Sequence, residues 1–278
     1  MASKIPSNFK IKKWYVAMIV LTILVVVVPP KLQNHYTKVQ AKKARRERRK
    51  AEKAKTALKK AENAGIITTK ETADGISYYY CEGSGPAYRG QEKLDEAPTL
   101  ILLHGAKFTK EDWKSPPGIL QDFCQRETEK KMNILAFDLP VSADYKDLMK
   151  LIDSLSIPKP VSLLTPSASG KTMTSWLLAG NDMLRIIPKY VRYWIPVASL
   201  SVNNVPQDSV RKMTIVKTHI LSIHGDRDTA GKNSSERLQN YAGADVVELQ
   251  GGHSCYLDQP KEFVTEVIKF LETPIAYG

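Results

Sequence analysis

The sequence predicts an α/β domain built around a mostly parallel sheet, and three observations lead to that prediction. From about residue 66 onward, short apolar runs alternate with segments that have the composition of helices. The apolar runs are continuous rather than alternating, as in strands that are buried on both faces. Ser167, Asp228 and His253 each follow a strand-like run, which would bring all three to the same edge of the sheet.

An Asp-Gly turn predicts that this domain begins with an antiparallel hairpin at the edge of the sheet. Ala73-Asp74-Gly75 separates two strand-like segments, Ile66–Lys70 and Ile76–Cys81. Further strands are predicted at Thr99–Leu103, Asn133–Phe137, Val161–Leu164, Tyr193–Ala198, His219–Ile223 and Asp245–Leu249. Helices are predicted at 119–129, 144–155, 169–178 and 261–271. Helical connections between these strands favour right-handed crossovers and therefore parallel pairing.

The chain of 278 residues is long enough for one large α/β domain and an appendage. We predict an N-terminal tip and membrane anchor over 1–30, a basic helical stalk over 31–65, and the α/β domain over 66–278. Roughly eighteen residues connect the strand that ends near Ser199 to the strand that starts near Thr218. That connection is too short for a folded cap domain, so we expect an uncapped and open site.

The net charge of +12 belongs to the N-terminal part of the chain. Residues 31–60 contain 13 Lys or Arg against two Glu, whereas residues 61–278 contain 24 basic and 27 acidic residues. The α/β domain therefore has no excess of positive charge with which to bind a phosphate backbone, and we expect no nucleic-acid partner.

The apolar run Trp14–Val28 is the candidate membrane anchor of a single-pass protein. It is shorter than the roughly 20 residues that usually span a bilayer, but its flanking residues can extend it. A cleaved signal peptide and a buried segment are the alternatives, although two prolines stand where a cleavage site would be. Lysines precede the run and more basic residues follow it, so the sequence leaves open which side of the membrane the α/β domain occupies.

The basic segment 31–60 is rich in Ala, Lys, Arg and Glu, which predicts a long helix that ends near Gly65. It has no sustained apolar stripe, so a solvated spacer is the simplest interpretation. The sharper hypothesis is that its Lys and Arg side chains bind anionic lipid headgroups, each contributing roughly 1 kcal/mol.

The order Ser167, Asp228, His253 predicts a serine nucleophile with a histidine base and an orienting carboxylate. A serine hydroxyl is a weak nucleophile until a base within hydrogen-bonding reach removes its proton. This order along the chain is that of the α/β-hydrolases, whereas other folds that carry the same three residues use other orders. Taken alone, Ser167 would be interpreted as a helix N-cap and His253 as a structural histidine.

Two members of the predicted triad, the serine and the aspartate, have a rival nearby. Ser169 is the alternative nucleophile in the same bend, and Asp226 is the alternative acid in the sequence GDRD. The residues two positions before and two positions after the nucleophile must be small. If Ser169 were the nucleophile, Lys171 would occupy one of these positions, so we prefer Ser167. We prefer Asp228 because it lies further from the strand end. His104, His219 and His224 lie within or beside apolar runs and are expected to be structural.

Backbone N–H groups of Ala106 and Ala168 are the candidate oxyanion hole. Ala106 follows a strand that ends at His104-Gly105, and Ala168 follows the nucleophile. Donors at these two places could stabilise negative charge that develops on an acyl oxygen.

Two further patterns are weak. The segment Thr165–Thr172 (TPSASGKT) differs from a phosphate-binding loop by lacking its first glycine, and Pro166 removes one N–H donor. Cys81, Cys124 and Cys255 are scattered and form no CxxC pair, so neither a disulfide framework nor a metal site is predicted.

The segments LLHGAKFTKEDW, NILAFDLP, TPSASG, GDRD and GGHSCYLDQPKEF together resemble the α/β-hydrolase domain-containing protein 14 family, over about residues 66–275. The resemblance implies a compact hydrolase without a cap that acts on small acyl groups, with Ser167, Asp228 and His253 as its triad. The N-terminal apolar run is similar to the membrane-anchored branch of that family. The loop after Asp138 (LPVSADYKD) departs from the family because it lacks the glycine-rich turn usual there.

The sequence therefore predicts a membrane-anchored serine hydrolase that cleaves small acyl esters, amides or thioesters through an acyl-enzyme. No cofactor or metal is required by this chemistry. One alternative is an acyltransferase or lysine deacylase that passes the acyl group to a thiol such as CoA, as the resemblance allows. The other is a catalytically silent hydrolase fold that serves as an interaction scaffold.

Overall fold

A computed structural model describes residues 38–50, 52, 53, 56, 67–72, 75–82, 98–126 and 132–273. The chain divides into one unit that ends at Glu52 and a second that starts at Lys53. In the first unit, residues 38–50 form a helix whose side chains are all exposed. We call it the basic helix. The predicted anchor Trp14–Val28 lies outside the described residues, and among those residues no helix has the length and apolar character needed to cross a bilayer.

The second unit is an α/β domain with one eight-stranded sheet. Its strands are β1 (Ile67–Glu71), β2 (Ser77–Cys81), β3 (Thr99–Leu102), β4 (Asn133–Phe137), β5 (Val161–Pro166), β6 (Val191–Val197), β7 (His219–Gly225) and β8 (Asp245–Leu249). The strand order is β1-β2-β4-β3-β5-β6-β7-β8. β1 and β2 form an antiparallel hairpin, and β2 also pairs antiparallel with β4. Every other pair of neighbouring strands is parallel. The predicted edge hairpin and parallel sheet are therefore confirmed.

Helices cover both faces of the sheet. They are α1 (Lys110–Lys114), α2 (Ile119–Gln125), α3 (Tyr145–Ser154), α4 (Lys171–Leu178), α5 (Asn181–Leu184), α6 (Ile187–Tyr190), α7 (Gln207–Arg211), α8 (Met213–Val216), α9 (Thr229–Ala242), α10 (Cys255–Asp258) and α11 (Pro260–Glu272). Two 3-10 helices span Ser167–Gly170 and Leu200–Asn204. Asp144 begins α3 with a capping box, in which its carboxylate accepts from the backbone while Asp147 accepts from the N–H of Asp144.

Successive residues of the central strands pack into two separate apolar clusters, one on each face. Along β3 and the residue after it, Leu100 and Leu102 belong to one cluster, while Ile101 and Leu103 belong to the other. All four are fully buried. This explains why the strands read as continuous apolar runs in the sequence, since both faces of the sheet are covered.

The connection between β6 and β7 consists of one 3-10 helix and the two short helices α7 and α8. The helix α9, of 14 residues, was not predicted from the sequence. It follows β7 directly, and its N-terminus is therefore at the edge of the sheet where the candidate residues lie.

Cys81 of β2 and Cys124 of α2 form a disulfide, with Cα atoms 6.0 Å apart. Both side chains are buried, and Cys255 is the free thiol. The sequence prediction that no disulfide would form is wrong here. The two cysteines are 43 residues apart in the chain, and only the packing of α2 against the sheet brings them together.

Candidate active site

The structure brings the three predicted residues into one hydrogen-bonded chain. His253 Nε2 lies 2.8 Å from Ser167 Oγ, and His253 Nδ1 lies 2.7 Å from Asp228 Oδ2. A carboxylate can only accept, so Nδ1 carries the proton of the neutral ring and Nε2 is free to accept from the serine hydroxyl. This is the arrangement in which a histidine can act as the base for a serine nucleophile.

Parallel strands place the three residues at one edge. Ser167 follows β5, Asp228 comes three residues after β7, and His253 comes four residues after β8. In an open parallel sheet the carboxyl ends of neighbouring strands meet along one edge, where sites commonly form. The Asp228 side chain is only 10% exposed, whereas the His253 side chain is 40% exposed. The acid is thus shielded from solvent while the base is reachable by a substrate.

Ser167 stands on a sharp turn between β5 and α4. Its φ of 51° lies in the left-handed region, which is uncommon for a residue other than glycine. Gly105 packs close by, because a Cβ built there would lie 3.6 Å from Ser167 Cβ. A backbone held in a rare conformation at a strand-to-helix bend is the geometry of a nucleophile elbow.

In the G-x-S-x-G pattern of hydrolase elbows, glycines stand two residues before and two residues after the nucleophile. Thr165 and Ser169 occupy those positions here, and both departures have structural explanations. Thr165 is fully buried, and its hydroxyl accepts a hydrogen bond of 2.8 Å from Trp194 Nε1. The close approach that the second glycine usually permits is instead made by Gly170, where an added Cβ would collide with Ser199 Oγ. The glycine that this bend needs therefore stands at position 170, one residue later than the pattern predicts.

Asp228 lies directly before α9, but its carboxylate does not cap that helix. The carboxylate turns to His253 instead, and Gly231 leaves room for it, since a Cβ at Gly231 would collide with Asp228 Oδ2. The N-terminus of a helix favours negative charge. Asp228 therefore lies at the end of α9 that interacts favourably with a carboxylate.

The rivals take other roles. Ser169 Oγ donates to the carbonyl of Pro166 at 2.9 Å. Asp226 Oδ1 accepts from the N–H of Gly251 at 2.8 Å. Lys171 Nζ lies 3.4 Å from the Ser142 carbonyl, so it points to a loop of this chain. None of these side chains bonds to His253.

The other described histidines are held by neighbouring groups. His104 Nδ1 lies 2.9 Å from the Gly105 carbonyl. His224 is buried between Ser235 and Glu248, with contacts of 3.0 and 3.2 Å. Burial and the nearby Arg192 guanidinium lower the pKa of His219.

Cys255, two residues after the candidate base, is not a competing nucleophile. Its side chain is fully buried, and burial raises the pKa of the thiol to about 12. At neutral pH it therefore remains protonated, whereas a reactive cysteine needs its thiolate.

The loop that carries Ala106 lies beside the nucleophile. Phe108 N–H donates to the Gly105 carbonyl at 3.0 Å, so Ala106 and Lys107 form the corner of a tight turn. Ala106 is exposed, and Ala168 is partly buried at the start of the 3-10 helix. The assignment of their N–H groups as an oxyanion hole stays a prediction.

A cleft of about 260 Å³, which includes open solvent at its mouth, adjoins the elbow. Its lining is mostly apolar and comprises Leu103, His104, Leu139, Pro140, Val141, Ala143, Ala168, Ser169 and Thr172. The loop 139–143, in which the sequence departs from the family pattern, forms one wall of this cleft. The departure therefore falls where it can shape this cleft.

One polar cluster near the cleft was missed by sequence reasoning. Asp138 accepts from both the backbone N–H and the Nζ of Lys110, each at 2.6 Å. His104 Nε2 lies 3.6 Å from the same carboxylate. The contacts join the end of β4 to the start of α1 and thereby brace the turn at Ala106. An aspartate directly after the NILAF strand was the available signal.

Within the described ranges, no three His, Cys, Asp or Glu side chains are grouped so that they could hold a metal ion.

The chain matches no protein-family model. It is 30% identical over 190 residues to ABHD14B of Homo sapiens, whose name gives it as a candidate protein-lysine deacylase. That match covers 63% of this chain and 83% of the relative. ABHD14A of Danio rerio is 29% identical over 187 residues, which is 62% of this chain and 63% of the relative.

Solved structures share the fold at low sequence identity. A protein described as a predicted CIB-like hydrolase from Thermoplasma acidophilum superposes with a TM-score of 0.51 at 17% identity, over 74% of this chain and 98% of its own. A carboxylesterase structure from Nitrososphaera gargenis has a TM-score of 0.50 at 12% identity, over 73% of this chain and 97% of its own. At these identities the likeness supports the α/β-hydrolase fold alone.

Proposed function

Because the chain belongs to the α/β-hydrolase domain-containing protein 14 (ABHD14) family of hydrolases, we propose that it is a serine hydrolase that removes small acyl groups through an acyl-enzyme. The observation that carries the proposal is the chain of hydrogen bonds from Ser167 through His253 to Asp228. The name of the ABHD14B relative favours acyl-lysine amides as the first substrate class to test.

In the proposed mechanism His253 Nε2 takes the proton of Ser167 while the serine oxygen attacks the acyl carbon. The imidazolium that forms is stabilised by the Asp228 carboxylate on the other nitrogen. His253 then gives the proton to the leaving amine, alcohol or thiol, and the acyl group remains on Ser167. In the second half of the reaction the same ring takes a proton from water while the water oxygen attacks the acyl carbon, and it returns that proton to Ser167 Oγ as the acid leaves.

The negative charge that develops on the acyl oxygen needs hydrogen-bond donors directed at that oxygen. We assign the N–H groups of Ala106 and Ala168 to this role, because the Gly105 turn packs against Ser167 and Ala168 is its immediate neighbour. One such donor is typically worth about 3–4 kcal/mol of transition-state stabilisation.

The cleft beside Ala168 suits a short acyl group. Its wall residues Leu139, Pro140 and Val141 are apolar, as the contact surface for a short acyl group should be. We expect acetyl and similarly short acyl groups to be removed faster than long-chain acyl groups.

A fluorophosphonate probe tests the proposal, since it reacts with activated serines. We expect the full-length protein to be labelled, peptide mapping to place the adduct on Ser167, and Ser167→Ala to lose both the label and hydrolysis of short acyl esters and acyl-lysine peptides. A folded wild-type protein that takes no label and hydrolyses neither substrate would overturn the proposal and favour the silent scaffold.

We further propose that Trp14–Val28 anchors the chain in a membrane and that the basic helix binds anionic headgroups. Its lysines and arginines are all exposed, and Glu47 is the single acid among residues 38–50. The disulfide of Cys81 and Cys124 supports a position of the hydrolase domain on the oxidising side, because disulfides are rare in the cytosol.

Membrane association and its sidedness are separable by experiment. We expect the full chain to resist extraction by alkaline carbonate and to be released by detergent. Asn233 is exposed and starts an Asn-Ser-Ser acceptor, so a lumenal domain should gain endoglycosidase-sensitive mass that Asn233→Gln abolishes. Quantitative release by carbonate would refute the anchor.

A further inference from the structure

Two carboxylates bind two successive backbone N–H groups immediately before His253. Asp226 Oδ1 accepts from Gly251 N–H at 2.8 Å, and Asp258 Oδ2 accepts from Gly252 N–H at 3.0 Å. The first carboxylate comes from the turn after β7 and the second from the end of α10. The loop that presents the base is thus held from both sides.

We propose that Asp226 and Asp258 are positioning residues that fix the loop of His253, so that the imidazole reaches Ser167 and Asp228 together. The inference rests on the proposed function and extends it to two residues that touch neither substrate nor the ring.

The turn after β7 and the loop after β8 are also joined through their backbones. Asp226 N–H donates to the Leu249 carbonyl at 2.8 Å, and Arg227 N–H donates to the Gly251 carbonyl at 3.0 Å. Asp228, the acid of the triad, follows two residues later on the same turn. Asp228 and His253 are therefore fixed to a single hydrogen-bonded frame. The hydrogen bond from Gly251 N–H to the Asp226 carboxylate is part of that frame.

The glycines of this frame leave room for the carboxylates. A Cβ on Gly251, at φ 148°, would collide with Asp258 Oδ2, and a Cβ on Gly225 would collide with the carbonyls of Gly251 and Gly252. Side chains are excluded where the two loops meet, so backbone and carboxylate groups alone make the contacts. Gly251 is therefore needed for close approach, and hydrogen bonds hold the loop that precedes His253.

Removal of either carboxylate should displace His253 without removing it. Both ring nitrogens of His253 form hydrogen bonds, with distances of 2.7 Å to Asp228 and 2.8 Å to Ser167. A shift of about 1 Å in a catalytic group can lower the rate roughly 100-fold. We expect Asp226→Ala to lower kcat by roughly 10- to 100-fold with KM changed less than about twofold. Asp258→Ala should act in the same direction.

Conservative and remote variants provide the controls. Asp226→Asn and Asp258→Asn keep an oxygen that can accept from the glycine N–H, so each should recover most of the kcat lost in the alanine variant. Asp245→Ala removes an exposed carboxylate at the opposite end of β8 and should leave kcat unchanged. Thermal unfolding of each full-length variant, followed by circular dichroism, shows whether it is folded at the assay temperature.

The low-field proton resonance of His253 Nδ1–H gives a readout that is independent of turnover. We expect it in the wild type, retained in Asp226→Asn, and lost or shifted in Asp226→Ala. If folded Asp226→Ala and Asp258→Ala keep both the wild-type resonance and the wild-type kcat, the positioning inference is wrong. If the resonance responds as expected but the wild type has no hydrolase activity, the proposed function fails while the positioning inference stands.

Discussion

Ser167 and Asp228 each give up a locally favourable arrangement and instead contact His253. The left-handed conformation at Ser167 costs a non-glycine residue roughly 1–2 kcal/mol. Asp228 forgoes the N-terminal cap of α9, which is typically worth about 1 kcal/mol. Local stability is reduced at both residues, as is common where side chains are arranged for chemistry.

The variant Asp228→Asn should distinguish the proposed catalytic role of Asp228 from the positioning role of Asp226. An amide at this place can donate to the ring and thereby favour the wrong tautomer, so we expect kcat to fall by about 10⁴-fold. Asp226→Asn keeps its acceptor for Gly251 and should cost far less. Steady-state kinetics with a short acyl ester check the difference, and equal losses in the two variants would contradict the assignment.

The meeting of Ser167, Asp228 and His253 was predictable because the proposed chemistry requires particular residue types after particular strands, in one order along the chain. The roles of Asp226 and Asp258 were not predictable. Each depends on which backbone N–H lies within reach, and this is decided by the way two loops meet. The displaced glycine at Gly170 was missed for the same reason, since its neighbour Ser199 comes from another strand end.

At the scale of elements, the central strands were predicted well and the helix α9 was missed. The strand β4 has the predicted bounds, because burial on both faces leaves a continuous apolar run. The edge strand β8 also has the predicted bounds, although most of its residues are exposed or half-buried. The sequence of α9, TAGKNSSERLQNYA, contains Gly, Asn and two serines, which have low helix propensity. Its buried side chains, including Ser234, Ser235 and Leu238, show that tertiary packing stabilises it.

The bend between β5 and α4 should not tolerate a methyl group at Gly170. An added Cβ would collide with Ser199 Oγ and lie 3.1 Å from Ser201 Oγ. We expect Gly170→Ala to lower the free energy of unfolding by about 1–3 kcal/mol, as overpacking does elsewhere. Urea denaturation measures this. Gly252→Ala, whose Cβ would meet nothing within 4 Å, is the matched control.

The start of β7 should contribute to acid sensitivity through His219. Its pKa is lowered by burial, so the unfolded chain binds a proton more readily than the folded chain. Stability is then lost as the pH falls through the usual histidine pKa of about 6.5. We expect the urea midpoint of His219→Gln to drop less than that of the wild type between neutral and mildly acidic pH. Equal drops would show that other groups account for the acid sensitivity.

At the scale of the whole hydrolase domain, the disulfide ties the edge hairpin to a helix on one face of the sheet. It closes a loop of 43 residues, and the chain-entropy model gives about 4 kcal/mol for a loop of that size. The sequence could not predict the pair, because an odd number of scattered cysteines does not say which two will meet.

Reduction should therefore lower the free energy of unfolding by roughly 2–4 kcal/mol. Urea denaturation with and without dithiothreitol measures the change. Alkylation followed by mass spectrometry provides the control, since the unfolded oxidised chain should expose one thiol and the reduced chain all three. Three alkylated thiols without reductant would contradict the pairing.

The order of the strands has a consequence for the protein during its synthesis. Ser167 leaves the ribosome 86 residues before His253, so for that interval the nascent serine is an ordinary alcohol. Only when β8 adds to β7 can the ring come within reach of the hydroxyl. Under the proposed function, a growing polypeptide would be unable to acylate itself until this last parallel strand has docked.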